Sequence, residues 1–135
     1  GSVFRTSDAF LVEKIFLCGI TAIPPHKDIN KTALGSTETV DWEYKASTVE
    51  LVNELKEEGV TILSIEQCEG STKLNEYTFT KDKKYALVFG NEIKGVSQEV
   101  IDQSHNVIEI PQLGTKHSLN ISVSVGILLW SSVYK

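Results

Sequence analysis

The stretch Tyr85-Ala86-Leu87-Val88-Phe89-Gly90-Asn91-Glu92-Ile93-Lys94-Gly95 decides the fold class. Its first five residues form an unbroken apolar run, the pattern of a strand covered on both faces, as in parallel sheets. The run stops at Gly90, and the segment to Gly95 then forms a glycine-bounded loop at the strand's carboxyl end. Beyond it, Ser97 is placed to N-cap a short helix from Gln98 to about Gln103, which leads into a strand from Val107 to Ile110. On the amino-terminal side, Val60 to Ile65 reads as another strand. It follows a helix opened by the capping box Ser47-Thr48-Val49-Glu50 and stopped at Gly59. Between these strands, the residues around Gly70-Ser71-Thr72 are expected to be a polar linker.

Further out the same grammar repeats. Ile15 to Ile20 is a short buried-strand run ended by Pro24-Pro25, and Lys27 to Leu34 predicts a short helix stopped by Gly35. Val40 to Tyr44 predicts a short strand, and the opening residues to about Leu11 predict a helix. The last helix, from about Ser118 to Tyr134, is apolar on more than one face. It must be buried on several sides or pack against a second chain, and a homodimer through this helix is expected. Strands and helices alternate without internal repeats, so the chain is expected to be an α/β fold with a mainly parallel sheet flanked by helices. In such sheets ligands bind outside the carboxyl ends of the strands, which directs attention to Gly90 and Pro111 onward.

Bulk properties narrow the function classes. The 135 residues suit one domain, and 41% hydrophobic against 23% charged residues, with 9 Gly and 3 Pro, excludes a disordered or collagenous chain. The longest apolar stretch, near Ile127 to Trp130, is far short of the ~20 residues a bilayer helix needs, and no export signal opens the sequence. A cytoplasmic protein without membrane association is expected. Cys18 and Cys68 have no zinc-type spacing, and His26, His105 and His117 have no ligand-like spacing, so no metal is expected. The net charge of −5 argues against nucleic-acid binding by bulk charge alone. The charge is uneven, however. From Pro111 onward there are two lysines and no acids, whereas residues 1–110 carry 11 basic and 18 acidic side chains. Any polyanion site is expected near the carboxyl-terminal quarter.

Two loops carry the candidate chemistry. The Gly90 to Gly95 loop is neither a Walker loop nor a GxGxxG fingerprint, and by itself reads equally as a turn or a ligand loop. The second, Pro111-Gln112-Leu113-Gly114-Thr115-Lys116-His117-Ser118-Leu119-Asn120, runs into the apolar helix. Ser118 alone would be an ordinary N-cap, and His117 a rim residue. Asn120, one turn inside an apolar helix, would need hydrogen-bond partners if buried.

Together these segments resemble a known family. Leu87-Val88-Phe89-Gly90-Asn91-Glu92-x-x-Gly95, followed by Ile108-x-Ile110-Pro111-x-x-Gly114-x-x-x-Ser118-Leu119-Asn120-x-Ser122, is similar to the second and third motifs of the SpoU (TrmH-like) RNA ribose methyltransferases of the SPOUT superfamily. Gly1-Ser2-Val3-Phe4-Arg5-Thr6-x-x-Ala9-Phe10 resembles the tail of the first motif, in which an Asn stands just before the Gly. The resemblance covers essentially the whole chain. Gln112 stands where many bacterial members have Met, and Ser124 where Ala is commoner.

The resemblance implies one SPOUT domain over residues 1–135, lacking its first strand and any amino-terminal RNA-binding extension. It further implies a carboxyl-terminal deep trefoil knot and a homodimer. The implied activity is methyl transfer from S-adenosylmethionine to a ribose 2′-hydroxyl of tRNA or rRNA. The other reading is a non-catalytic dimeric RNA- or nucleotide-binding module that keeps the cofactor pocket. Carried over, Arg5, Glu92, Ser118 and Asn120 are the catalytic or site-organising positions. Phe89, Gly90, Asn91, Gly95, Ile110, Pro111, Gly114 and Leu119 line the cofactor, with Gly95 and Gly114 allowing a tight backbone. Arg5, Lys94, Lys116 and His117 face RNA phosphates. The net acidity is the discordant feature, because many relatives add a basic extension.

Overall fold

The computed structural model describes residues 13–18, 40–90, 94–114 and 119–134. The expected helices over 27–34 and at the amino terminus lie outside these residues. The chain divides into two compact units, Gly1–Thr48 with Ser122–Lys135, and Val49–Ile121.

The second unit contains a four-stranded parallel sheet in the order β4-β6-β3-β5, with β3 at Thr61–Ile65, β4 at Thr72–Lys73, β5 at Tyr85–Phe89 and β6 at Asn106–Glu109. The central strand β3 is paired on both edges, and Ile62, Leu63 and Ser64 are completely buried. That is why apolar residues stand at the adjacent positions Ile62 and Leu63 rather than at alternate ones. Because side chains alternate, Ile62 and its register partner Ala86 share one face with Val88. Val52, Val60, Val96 and Val100 pack with Ile62 there, joined by Val49, Leu55 and Ile101. These come from helix α1 (Thr48–Glu57), from helix α2 (Gln98–Gln103) and from the segments beside them.

Helix α1 begins directly behind Ser47 and buries Leu51 and Val52. Its end is a Schellman motif: the Gly59 N–H donates to the Lys56 carbonyl at 3.0 Å and the Val60 N–H to the Leu55 carbonyl at 3.0 Å. Gly59 supplies the positive φ of 85° that this turn requires. Helix α2 is capped as expected, the Ser97 hydroxyl accepting from the Val100 N–H at 3.4 Å. Past its end, the His105 N–H donates to the Ile62 carbonyl and His105 Nδ1 accepts from the Ile62 N–H, both at 2.9 Å. The Ser64 and Ser104 hydroxyls share a 2.6 Å hydrogen bond, so the buried Ser64 is satisfied.

The expected linker around Ser71 is instead structured. Thr72–Lys73 adds a short edge strand to β6, and a single 3₁₀ turn over Leu74–Glu76 buries Leu74. Two residues are too few to show a period, and one buried leucine sufficed to hold the segment down. At the amino end of β5, Tyr77, Phe79 and Tyr85 stack with centroids 5.0 and 5.2 Å apart. Burial, aided by the Tyr85 hydroxyl, pushes Tyr77 up to about 12.

In the first unit, β1 (Lys14–Cys18) and β2 (Asp41–Lys45) pair in parallel, with Leu17 and Val40 buried and Ile15 and Trp42 packed on them. Glu43 bridges Lys45 at 3.1 Å and Lys14 at 3.2 Å, which holds its carboxyl below the usual range. Helix α3 spans Ile121–Tyr134 and buries Val125, Leu128 and Ser131. Val123, Trp130, Val133 and Tyr134 remain exposed on it. No helix among the described residues is long and apolar enough to cross a membrane.

Ile62→Ala should cost about 2–5 kcal/mol, since it opens a cavity at the centre of the β3 core. Asn53→Ala, exposed on α1, should stay within about 0.5 kcal/mol. Urea unfolding of both variants checks this, and equal midpoints would remove β3 from the centre of the core.

Candidate active site

Both candidate loops leave the same edge of the second unit's sheet. Ile65, the last residue of β3, lies in register with Phe89 of β5 on one side and Ile108 of β6 on the other. The chain therefore departs at Gly90 and at Ile110-Pro111 on either side of the β3 terminus, about 10 Å apart at two strand spacings. Phe89, Gly90 and Ile110 are half-buried there, whereas Pro111, Gly114 and Lys94 are exposed.

Gly90 lies directly against the Gly95–Val96 peptide. An ideal Cβ on Gly90 would overlap the Gly95 carbonyl group and the Val96 nitrogen, so this is a close backbone crossing that only glycine permits. Gly95 has a φ of 68°, and a Cβ on it would overlap the Glu66 carboxylate. A Cβ on Gly114 would meet nothing within 4 Å among the described residues.

Glu66 is the site residue that sequence reasoning missed. Its N–H donates to the Ile108 carbonyl at 3.1 Å, and its Oε2 accepts from the Val96 N–H at 2.8 Å. Its Oε1 accepts from the Gln67 N–H at 3.2 Å. Beside it, Glu109 Oε1 accepts from the Ser71 hydroxyl at 2.7 Å, and its Oε2 from Gln67 Nε2 at 3.4 Å. The available signal was position, because Glu66 is the first polar residue after a buried run, at the same sheet edge as Gly90.

Asn120 requires a correction. Helix α3 begins at Ile121, so Asn120 stands just before the helix and is exposed, not buried one turn within it. Asn favours such a flanking position because its side chain competes for backbone groups there. Leu119 is likewise outside the helix and 37% exposed. Arg5, Asn91, Glu92, Lys116, His117 and Ser118 lie outside the described residues. Among the described residues, Phe89, Gly90, Ile110 and Pro111 thus stand at or just beyond the ends of β5 and β6, and Gly95 lies against Glu66.

A parallel sheet with helices packed on it puts the chain among the α/β proteins, a class in which ligands bind outside the carboxyl ends of the strands. Comparisons with known proteins give its family. The SpoU rRNA Methylase family model matches residues 1–130, and the chain belongs to that family. It is 33% identical over 132 residues to the tRNA (guanosine(18)-2′-O)-methyltransferase of Aquifex aeolicus, covering 97% of this chain and 61% of that protein. Similarity to the 23S rRNA (guanosine-2′-O-)-methyltransferase of Neisseria meningitidis is 30% over 129 residues, covering 96% and 50%. The AdoMet-bound rRNA methyltransferase of Sinorhizobium meliloti superposes with a TM-score of 0.89 at 27% identity, covering 97% of this chain and 49% of that one. The chain thus spans about half to three fifths of the length of these two curated relatives.

Proposed function

We propose that this chain is a single methyltransferase domain, residues 1–135, that transfers a methyl group from S-adenosylmethionine to a ribose 2′-hydroxyl of tRNA or rRNA. The observation that carries the reading is the placement of two family motifs on either side of β3 at one sheet edge. The name of the Sinorhizobium relative, with its bound AdoMet, supports the cofactor, and the names of the Aquifex and Neisseria relatives support ribose methylation.

The residues at this edge fit such a cofactor. Phe89, Ile110 and Leu119 offer apolar walls for adenine, and the backbone around Gly90, Asn91, Gly95, Pro111 and Gly114 can approach its polar edge closely. When bound, the cofactor supplies an electrophilic methyl on sulfur. The protein's share is orientation and exclusion of water. Arg5 binds the phosphate beside the target ribose and polarises its hydroxyl. Glu92, Ser118 and Asn120 organise the ribose and Arg5 by hydrogen bonds. Lys94, Lys116 and His117 contact neighbouring phosphates. The active form is a cytoplasmic homodimer packed through α3, whose Val123, Trp130 and Val133 are exposed in the single chain. Its carboxyl-terminal segment is threaded as a trefoil knot.

The test is incubation of the full-length protein with S-adenosylmethionine and tRNA or rRNA transcripts, followed by nucleoside mass spectrometry. A 2′-O-methylnucleoside is expected, and the same nucleoside should be missing from RNA of cells lacking the gene. Methyl on a base would overturn ribose specificity, and cofactor binding without methyl transfer would leave a non-catalytic module.

A further inference from the structure

We infer that Glu66 is a positioning residue that sets the affinity of the cofactor loop, an inference that rests on the reading above. Glu66 continues the most rigid strand of the sheet: β3 is paired on both edges and its interior is completely buried. From that base its N–H is fixed to Ile108 on β6 at 3.1 Å, while Oε2 accepts from the Val96 N–H at 2.8 Å on the segment after β5. A single residue thus ties together the chain on both sides of the site.

The glycine pattern shows how closely the parts fit. A Cβ on Gly95 would displace the Glu66 carboxylate, and Gly90 cannot carry one because the Gly95–Val96 peptide lies against it. The contact order runs from Glu66 to Gly95–Val96 to Gly90. A free Gly95 at φ 68° has many alternative conformations. A charged acceptor on Val96 selects one of them, and hydrogen bonds to charged groups are the stronger kind. Without the carboxylate, the Gly95–Val96 peptide must be fixed by the cofactor itself, at the expense of affinity. Val96 also belongs to the core cluster around Ile62, so the loop keeps a hydrophobic anchor and the fold survives the loss.

The experiment compares Glu66→Ala, Glu66→Gln and Glu66→Asp in the full-length protein, by calorimetric titration with S-adenosylmethionine and by hydrogen exchange at the Val96 amide. Glu66→Ala should weaken cofactor binding about 10- to 100-fold, the loss expected for a hydrogen bond to a charged group. Its kcat at saturating cofactor and its KM for RNA should stay within about threefold, because the reacting groups are untouched. Glu66→Gln keeps an acceptor oxygen and should restore most of the affinity, whereas Glu66→Asp, one methylene short of Val96, should behave like Glu66→Ala. If Glu66→Ala does not fold, Glu66→Asp gives the same reading. Exchange at Val96 should accelerate in the weak binders even without cofactor. Unchanged affinity in both Glu66→Ala and Glu66→Asp, or a Gln variant as weak as Ala, overturns the inference alone. A wild-type protein that takes up no S-adenosylmethionine overturns the proposed function together with it.

Discussion

Gly90→Ala should abolish measurable binding of S-adenosylmethionine and lower the thermal midpoint by roughly 10 °C. The added methyl would overlap the Gly95 carbonyl group and the Val96 nitrogen, which are backbone atoms with no alternative rotamer. The Val96 amide is also tied to Glu66 at 2.8 Å, so the loop cannot simply swing aside. Overpacking usually costs about 1–3 kcal/mol, and a clash with backbone belongs at the upper end. For a chain of this size that corresponds to the stated shift in midpoint. Gly70→Ala is the control. Gly70 also has a φ of 85°, but a Cβ there meets nothing within 4 Å. It should cost about 1 kcal/mol of backbone strain and leave cofactor affinity unchanged. Calorimetric titration and scanning calorimetry of the pair decide the matter, and a Gly90→Ala protein that binds cofactor normally would remove this loop from the pocket.

Arg5→Ala should reduce methyl transfer to RNA at least about 100-fold while leaving cofactor affinity within about tenfold. A guanidinium stays protonated at any physiological pH, so the role proposed for Arg5 is that of a fixed cation, with the identity of the base left open. It can grip a phosphate with two parallel hydrogen bonds and lower the cost of charge developing on the adjacent 2′-oxygen. Arg5→Lys keeps the charge but loses the fork, and should fall between wild type and alanine. Single-turnover methylation with excess enzyme separates this effect from RNA binding. Unchanged turnover in Arg5→Ala would exclude it from the mechanism.

The elements of the second unit were legible because local chemistry and tertiary burial agree there. The run from Tyr85 to Phe89 is β5 residue for residue, and Ser97 caps α2 where the sequence placed it. Gly59 stops α1 with the backbone bonds its type implies. Three features were not legible. The edge strand at Thr72–Lys73 owes its existence to the neighbouring β6 and to one buried leucine, not to its own propensity. The start of α3 fell at Ile121 because Leu119 and Asn120 are as compatible with a helix flank as with a first turn. Glu66 looked like an ordinary surface acid, since its partner Val96 is 30 residues away and only the fold brings them together. The strand ends at Phe89 and Glu109 could be found from the sequence, but the Glu66 to Val96 hydrogen bond between neighbouring segments could not.

The placement of β3 also affects how the chain is made. Both strands that flank it lie later in the sequence, and the Ile62 amide must wait for His105, 43 residues further on. At ribosomal speeds of ~5–20 residues per second, that is a delay of roughly 2 to 9 s in which an apolar ribbon is extruded with its edges open. The nascent chain is therefore most exposed to misassociation until β6 emerges, and its yield in a cell should respond to chaperone supply more than to the final stability of the product.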